Sequence, residues 1–202
     1  MVKQKDVFLS GEGDAWFERN RARLGLYDPV TELIQREGIR PKCVLEVGCA
    51  NGWRLAKLRD LYDCEVFGVE PSMKAAMEAA TLRVPVHQMT ASTLPVRNGG
   101  FDMIIYGFCL YLTDPDDWLM IAAEGDRALA TGGHIVIHDF GWVRKPYGRR
   151  YEHNDKITAY HVDFSQLWLS HPAYERIADG PTSAQDDCVR ILRKQHRMEV
   201  LP

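Results

Sequence analysis

From Pro41 onward, short continuous apolar runs alternate with stretches in which apolar residues recur every three or four positions. The runs at 43–47, 65–69, 101–106 and 134–138 are too short for helices and are bounded by glycine, proline or asparagine, which predicts buried strands. Between them, 51–61 carries Leu55 and Leu58 at helical spacing. A second helix is capped by Ser72 and carries Met73, Ala76, Met77 and Ala80, and a third starts at Asp114-Pro115 and carries Trp118, Ile121, Ala122 and Leu129. Val84-Pro85-Val86-His87 reads as a weaker strand whose proline suits an edge. Ahead of this pattern, Asp14 caps a leading helix with Trp16, Phe17 and Leu24; Asp28-Pro29 starts another with Val30, Leu33 and Ile34 inward, ended by Gly38. Behind it, 140–162 is polar and aromatic without periodicity, and a short helix follows near 163–169. The closing strands, around 174–178 and 188–192, have no long helix between them and read as an antiparallel pair at the sheet edge.

Apolar strands alternating with amphipathic helices predict an α/β, doubly wound, mostly parallel sheet covered on both faces. The expected organisation is a single domain, 1–202: a helical cap at 1–40, a ligand-binding core at 41–139, and a substrate loop with closing strands at 140–202. The length of 202 residues suits one domain with a full core. A net charge of −3 gives no footprint for nucleic acid, and no apolar run is long enough to span a bilayer. The first six residues lack the apolar centre of a signal peptide, so a cytoplasmic protein is expected. Cys43, Cys49, Cys64, Cys109 and Cys188 form no CxxC pair and read as reduced, buried thiols; no metal site is expected.

In such a sheet, ligands bind beyond the carboxyl ends of the strands. The first strand runs into Glu46-Val47-Gly48-Cys49-Ala50-Asn51-Gly52 and then a helix, a turn whose amides could face a ligand. Glu70 ends the second strand, roughly twenty residues on, where a carboxylate takes the ribose hydroxyls of a nucleoside cofactor. The stretch 44–52 resembles motif I of class I S-adenosylmethionine methyltransferases. Phe67-Gly68-Val69-Glu70-Pro71-Ser72 resembles their second motif, and Leu94-Pro95-Val96 with 100–104 resembles the approach to their fourth strand. The resemblance covers about 42–139. It implies a Rossmann-like seven-stranded sheet with an antiparallel closing strand, S-adenosylmethionine as cofactor, and S-adenosylhomocysteine as product. It assigns cofactor contacts to Glu46, Gly48, Cys49, Ala50, Gly52, Glu70, Pro71, Thr90 and Ala91. Ala50 stands where many members have a middle glycine, and Thr90 where many have an adenine-reading aspartate. Residues 8–20 and 160–174 resemble methyltransferases of bacterial surface-sugar gene clusters. That resemblance implies that Trp16 packs on the cofactor and that Arg19 or Asn20 holds its carboxylate.

For the acceptor, His138 is the expected general base and Asp139 its orienter or substitute, with His153 and His161 in the following loop. The basic stretch 143–150 suits an anionic acceptor, such as a nucleotide-linked or acidic sugar, and O-methylation is expected. The loop at 140–162 is expected to act as a mobile lid carrying Trp142, Tyr147, Tyr151 and Arg144, Arg149, Arg150. The alternative function is a nucleoside-binding module without turnover. A nicotinamide oxidoreductase would need a GxGxxG loop, and a nucleic-acid methyltransferase an Asn-Pro-Pro-aromatic motif; the sequence has neither.

Overall fold

A computed structural model of the chain describes residues 2–141, 145–180 and 187–195. The leading segment is α1 (Gln4–Val7), a wide turn over 8–12, and α2 (Gly13–Asn20), with Gly11 at φ +147° bending the chain between them. The helical cap thus starts before Gly11. Asp14 does not cap its own helix; it accepts from Ser72 Oγ at 2.6 Å and from the amide of Lys74 at 3.0 Å, docking α2 onto the start of α5 (Met73–Thr81). In α3 (Pro29–Arg36), Asp28 is the N-cap, accepting from the amide of Thr31, and Val30, Leu33 and Ile34 are buried as the pattern predicts.

The strands are β1 (Cys43–Val47), β2 (Glu65–Val69), β3 (Val86–His87), β4 (Phe101–Gly107) and β5 (Leu129–Phe140). They are followed by β6 (Tyr147–Arg150), β7 (Thr158–His161), β8 (Tyr174–Asp179) and β9 (Asp187–Lys194). A seven-stranded sheet has the order β3-β2-β1-β4-β5-β9-β8, parallel through β5 and antiparallel for β9 and β8. The doubly wound sheet with antiparallel closing strands is the expected fold. Its order reverses between β1 and β4, which opens a crevice at their carboxyl ends.

Side-chain alternation divides the core. Leu45 and Val47 of β1, with Ile104 and Tyr106 of β4, face α6 (Trp118–Ala128) and α7 (Gln166–Leu169). Val44, Met103 and Ile105 face α3 and α4 (Trp53–Tyr62). Two elements differ in detail from the pattern. The buried face of α5 is Ala75 and Ala79, not Met73 and Met77, which are exposed; small residues let this helix lie close to its neighbours. Leu129 belongs to β5, whose pairing with β4 shifts register between Phe101 and Met103.

The stretch 140–162 is not an irregular loop: β6 and β7 form an antiparallel hairpin. Val7, Leu112, Ile157 and Ala159 pack it against the N-terminal segment. Buried Gln4 donates to Leu112 O at 2.9 Å and accepts from the amide of Thr158 at 2.5 Å. Trp142 and Arg144 lie outside the described residues. Among the described residues, no helix is long and apolar enough to cross a membrane, and no group of His, Cys, Asp and Glu could hold a metal ion.

Candidate functional site

The turn after β1 needs left-handed backbone at Gly48 (φ +72°), Ala50 (φ +49°) and Gly52 (φ +70°). At Gly48 a side chain has no room either, because a Cβ would lie 2.6 Å from Cys109 Cβ. The amides of Gly48 and Cys49 donate to Val69 O at 2.8 and 3.3 Å, and that of Ala50 donates to Glu70 Oε2 at 2.9 Å. These three amides therefore hold the turn to the end of β2, and a ligand would meet the surface of the turn instead of its donors. Gly52 lies behind the crevice, where a Cβ would press on Val84 and Ala79.

Glu70 is buried at the end of β2, and its other oxygen accepts from the amide of Ser72 at 2.9 Å. Each carboxylate oxygen keeps a further lone pair. Burial pushes its pKa up to about 7, against the pull of these two amides. Glu70 borders a pocket with Gly48 and Val69 at its floor and Pro71, Met89, Thr90, Ala91 and Ile121 along its walls. An acceptor pair bordering an apolar slot suits the ribose and base of a nucleoside. Thr90 Oγ1 lies 3.3 Å from Ser92 Oγ at the far wall.

The pocket continues past Gly48 and Phe108 into a second, wider chamber; Trp16 lines both. Glu46, buried, lines the chamber. One oxygen is bonded by Arg54 Nη1, while Oε2 is buried with no hydrogen-bond partner. Arg54 Nε also donates to Asp28 at 3.1 Å, and Lys57 Nζ reaches Asp28 at 2.9 Å. This buried chain needs Gly107, whose Cβ would lie 2.8 Å from Arg54 Nη1. The unpartnered Oε2 of Glu46 is an acceptor suited to an ammonium group, so the two pockets together fit S-adenosylmethionine with its amino-acid end toward Glu46. Arg19 lines neither pocket: its guanidinium bonds Glu12 and reaches the hydroxyl of Tyr151 at 3.3 Å. Asn20 does line the chamber, with its side-chain nitrogen donating to Trp16 O at 2.8 Å.

His138 and Asp139 end on opposite sides of β5, as alternation requires. Asp139 Oδ2 accepts from the amides of Leu110 (3.0 Å) and Tyr111 (3.2 Å), and Oδ1 from that of Phe140 (2.8 Å). It shapes the turn after β4 and does not orient His138. That place belongs to Asp187, at the start of β9, whose Oδ2 lies 3.1 Å from His138 Nε2. His138 lines the chamber, and its Nδ1 is buried with no hydrogen-bond partner. Burial lowers its pKa more than Asp187 raises it, so the ring is neutral at lower pH than free imidazole. A proton on Nε2, held by Asp187, leaves Nδ1 as a proton acceptor.

Phe108 is a second residue that the pattern did not single out. It sits at φ +50°, a conformation that costs a bulky residue about 1–3 kcal/mol, and its amide donates to His138 O at 2.7 Å. Its ring stands edge-on to His138 (4.5 Å), Phe140 (5.5 Å) and Tyr111 (6.0 Å), at the junction of the two pockets. His161 is stacked between Phe140 (4.0 Å) and Tyr147 (4.5 Å), while His153 lies at the chamber rim beside Glu152. Burial raises the pKa of Cys49 and Cys109 well above the usual thiol value, so both stay protonated.

Residues 44–133 match the family model described as a methyltransferase domain. The tRNA N(3)-methylcytidine methyltransferase trm140 of Schizosaccharomyces pombe is 24% identical over 163 residues, covering 69% of this chain. The chain spans about half (53%) of that protein's length. Among solved structures, the Burkholderia thailandensis 1,6-didemethyltoxoflavin-N1-methyltransferase, with bound 1,6-didemethyltoxoflavin and S-adenosylhomocysteine, superposes with a TM-score of 0.77 at 17% identity. It covers 95% of this chain and 89% of that one. N-methyltransferase NodS of Bradyrhizobium japonicum WM9, with S-adenosylhomocysteine, superposes at 0.64 and 18% identity, covering 91% and 99%.

Proposed function

We propose that this chain is an S-adenosylmethionine-dependent methyltransferase and that it methylates a small-molecule oxygen or nitrogen nucleophile using His138 as the base. The single observation that carries the reading is the junction at Gly48 and Phe108, which joins the Glu70 pocket to the chamber of His138. Glu70 would hold the ribose hydroxyls, Pro71, Met89 and Ile121 the base, and Glu46 Oε2 the ammonium. S-adenosylmethionine supplies a methyl carbon made electrophilic by its sulfonium. His138 Nδ1 accepts the proton that the acceptor loses as it attacks, and Asp187 holds the ring in the tautomer that leaves Nδ1 open. Phe108, Tyr111 and Phe140 exclude water around that proton transfer.

The ends of the chain resemble surface-sugar methyltransferases, which supports testing sugars and nucleotide sugars beside phenols, heterocyclic amines and tRNA. S-adenosylhomocysteine release should occur with a small molecule and not with tRNA. With that acceptor, His138→Ala should lower kcat by about 10²–10⁴-fold and leave cofactor affinity within about twofold. Full turnover by His138→Ala would remove the base assignment, and turnover on tRNA alone would overturn the small-molecule reading.

A further inference from the structure

We infer that the acceptor chamber is built for a planar aromatic or heteroaromatic molecule carrying an anionic group. The inference rests on the methyl-transfer reading and names its substrate class. The chamber walls are rings: Tyr27, Trp53, Phe108, Tyr111, Phe140 and Tyr151 all line it. Phe108, Tyr111 and Phe140 form an edge-to-face set, with Tyr111 and Phe140 5.2 Å apart at 88°. Edge-to-face walls leave a slot in which a flat ring finds both faces and edges, whereas a puckered ring finds poorer contact.

Charge narrows the choice further. The inner acid, Glu46, is bonded by Arg54, and Arg54 is bonded again by Asp28. The outer acid, Glu152, has a side chain 81% exposed at the rim, 3.1 Å from His153. Arg23 and Arg149 also line the chamber, from the end of α2's segment and from β6, and neither forms an ion pair among the described residues. Arg150, on the same hairpin, is held 3.3 Å from Asp155. Two guanidiniums that line the aromatic chamber without an ion pair favour a carboxylate, sulfonate or phosphate on the ligand.

Three probes of one carbon skeleton separate the two requirements: 2-naphthoate (flat, anionic), 2-naphthamide (flat, neutral) and decahydro-2-naphthoate (puckered, anionic). Each is titrated into the full chain saturated with S-adenosylhomocysteine, following tryptophan fluorescence and calorimetry. Naphthoate should bind about tenfold or more tightly than either of the other two, and Arg23→Ala/Arg149→Ala should bring it to the level of naphthamide. Both arginines are exposed, and matched circular dichroism of the double variant serves as the control for folding. Equal binding of the three probes, preference for the neutral or puckered one, or no binding of any at millimolar concentration would overturn the inference. If S-adenosylhomocysteine itself fails to bind, the failure lies with the cofactor reading instead.

Discussion

Glu70 and Asp139 are both carboxylates at strand ends, both buried, and both pushed up to about 7, yet they face different things. Asp139 takes three backbone amides of its own chain, whereas Glu70 takes two and borders a pocket. Hydroxyl donors of a bound ribose would favour the ionised form of Glu70, which would couple ligand binding to proton release. The sign follows: below a pKa of about 7 the free protein must lose a proton to bind well. Calorimetry should give S-adenosylhomocysteine about tenfold weaker at pH 6 than at pH 8, and a flat profile for Glu70→Gln. A flat wild-type profile would deny the coupling. At His138 the sign differs. Asp187 raises its pKa, so Asp187→Asn should lower kcat and move the acidic limb of the rate profile to lower pH. A purely structural Asp187 would leave the limb in place. Glu70 was legible because strand period and loop spacing locate it. Asp187 was not, since it meets His138 only through the antiparallel register that sets Phe140 opposite Asp187. Arg19 stands off the pockets because Glu12, seven residues earlier on the same helical segment, claims its guanidinium.

Elements show the same division. Period and punctuation predict β1, β2, β4 and their helices because each buries a continuous face. The hairpin of β6 and β7 is not legible in the pattern because β6 is exposed along its whole length and carries no alternating apolar signal. Its anchors, Ile157 and Ala159, are few and pair with Val7, which lies about 150 residues away in sequence. The expected lid is therefore a docked element, held by Gln4, by Asn154 on Glu12 (2.9 Å), and by Tyr151 on Arg19. Gln4 ties α1, the turn after β4 and β7 together. Gln4→Ala leaves Thr158 N and Leu112 O without that partner, a local loss of about 1–3 kcal/mol. Hydrogen exchange at Thr158 should accelerate about tenfold or more, and S-adenosylhomocysteine should dissociate faster, with global melting little changed. Unaltered exchange at Thr158 would mean that the cap and hairpin are held by other contacts.

Over the whole molecule, the seven-stranded sheet places its order reversal between β1 and β4, and every residue proposed to touch the cofactor lies at that end or on the cap above it. The turn at 48–50 is tied to β2, Glu70 is tied to the turn, and the cap is tied to α5 through Asp14 and Ser72. The site is thus assembled by the fold, with the acceptor chamber bounded by the segments 16–27 and 149–159, distant in sequence. Glu70 is proposed to anchor S-adenosylmethionine and its product at this end. The most direct measurement is calorimetric titration of S-adenosylhomocysteine into wild type and Glu70→Ala at pH 8, with matched circular dichroism to establish folding. One molecule should bind per chain, and Glu70→Ala should lose roughly 1.5–3 kcal/mol, an affinity about ten- to a hundredfold weaker. A folded Glu70→Ala that binds as tightly as wild type would contradict the account.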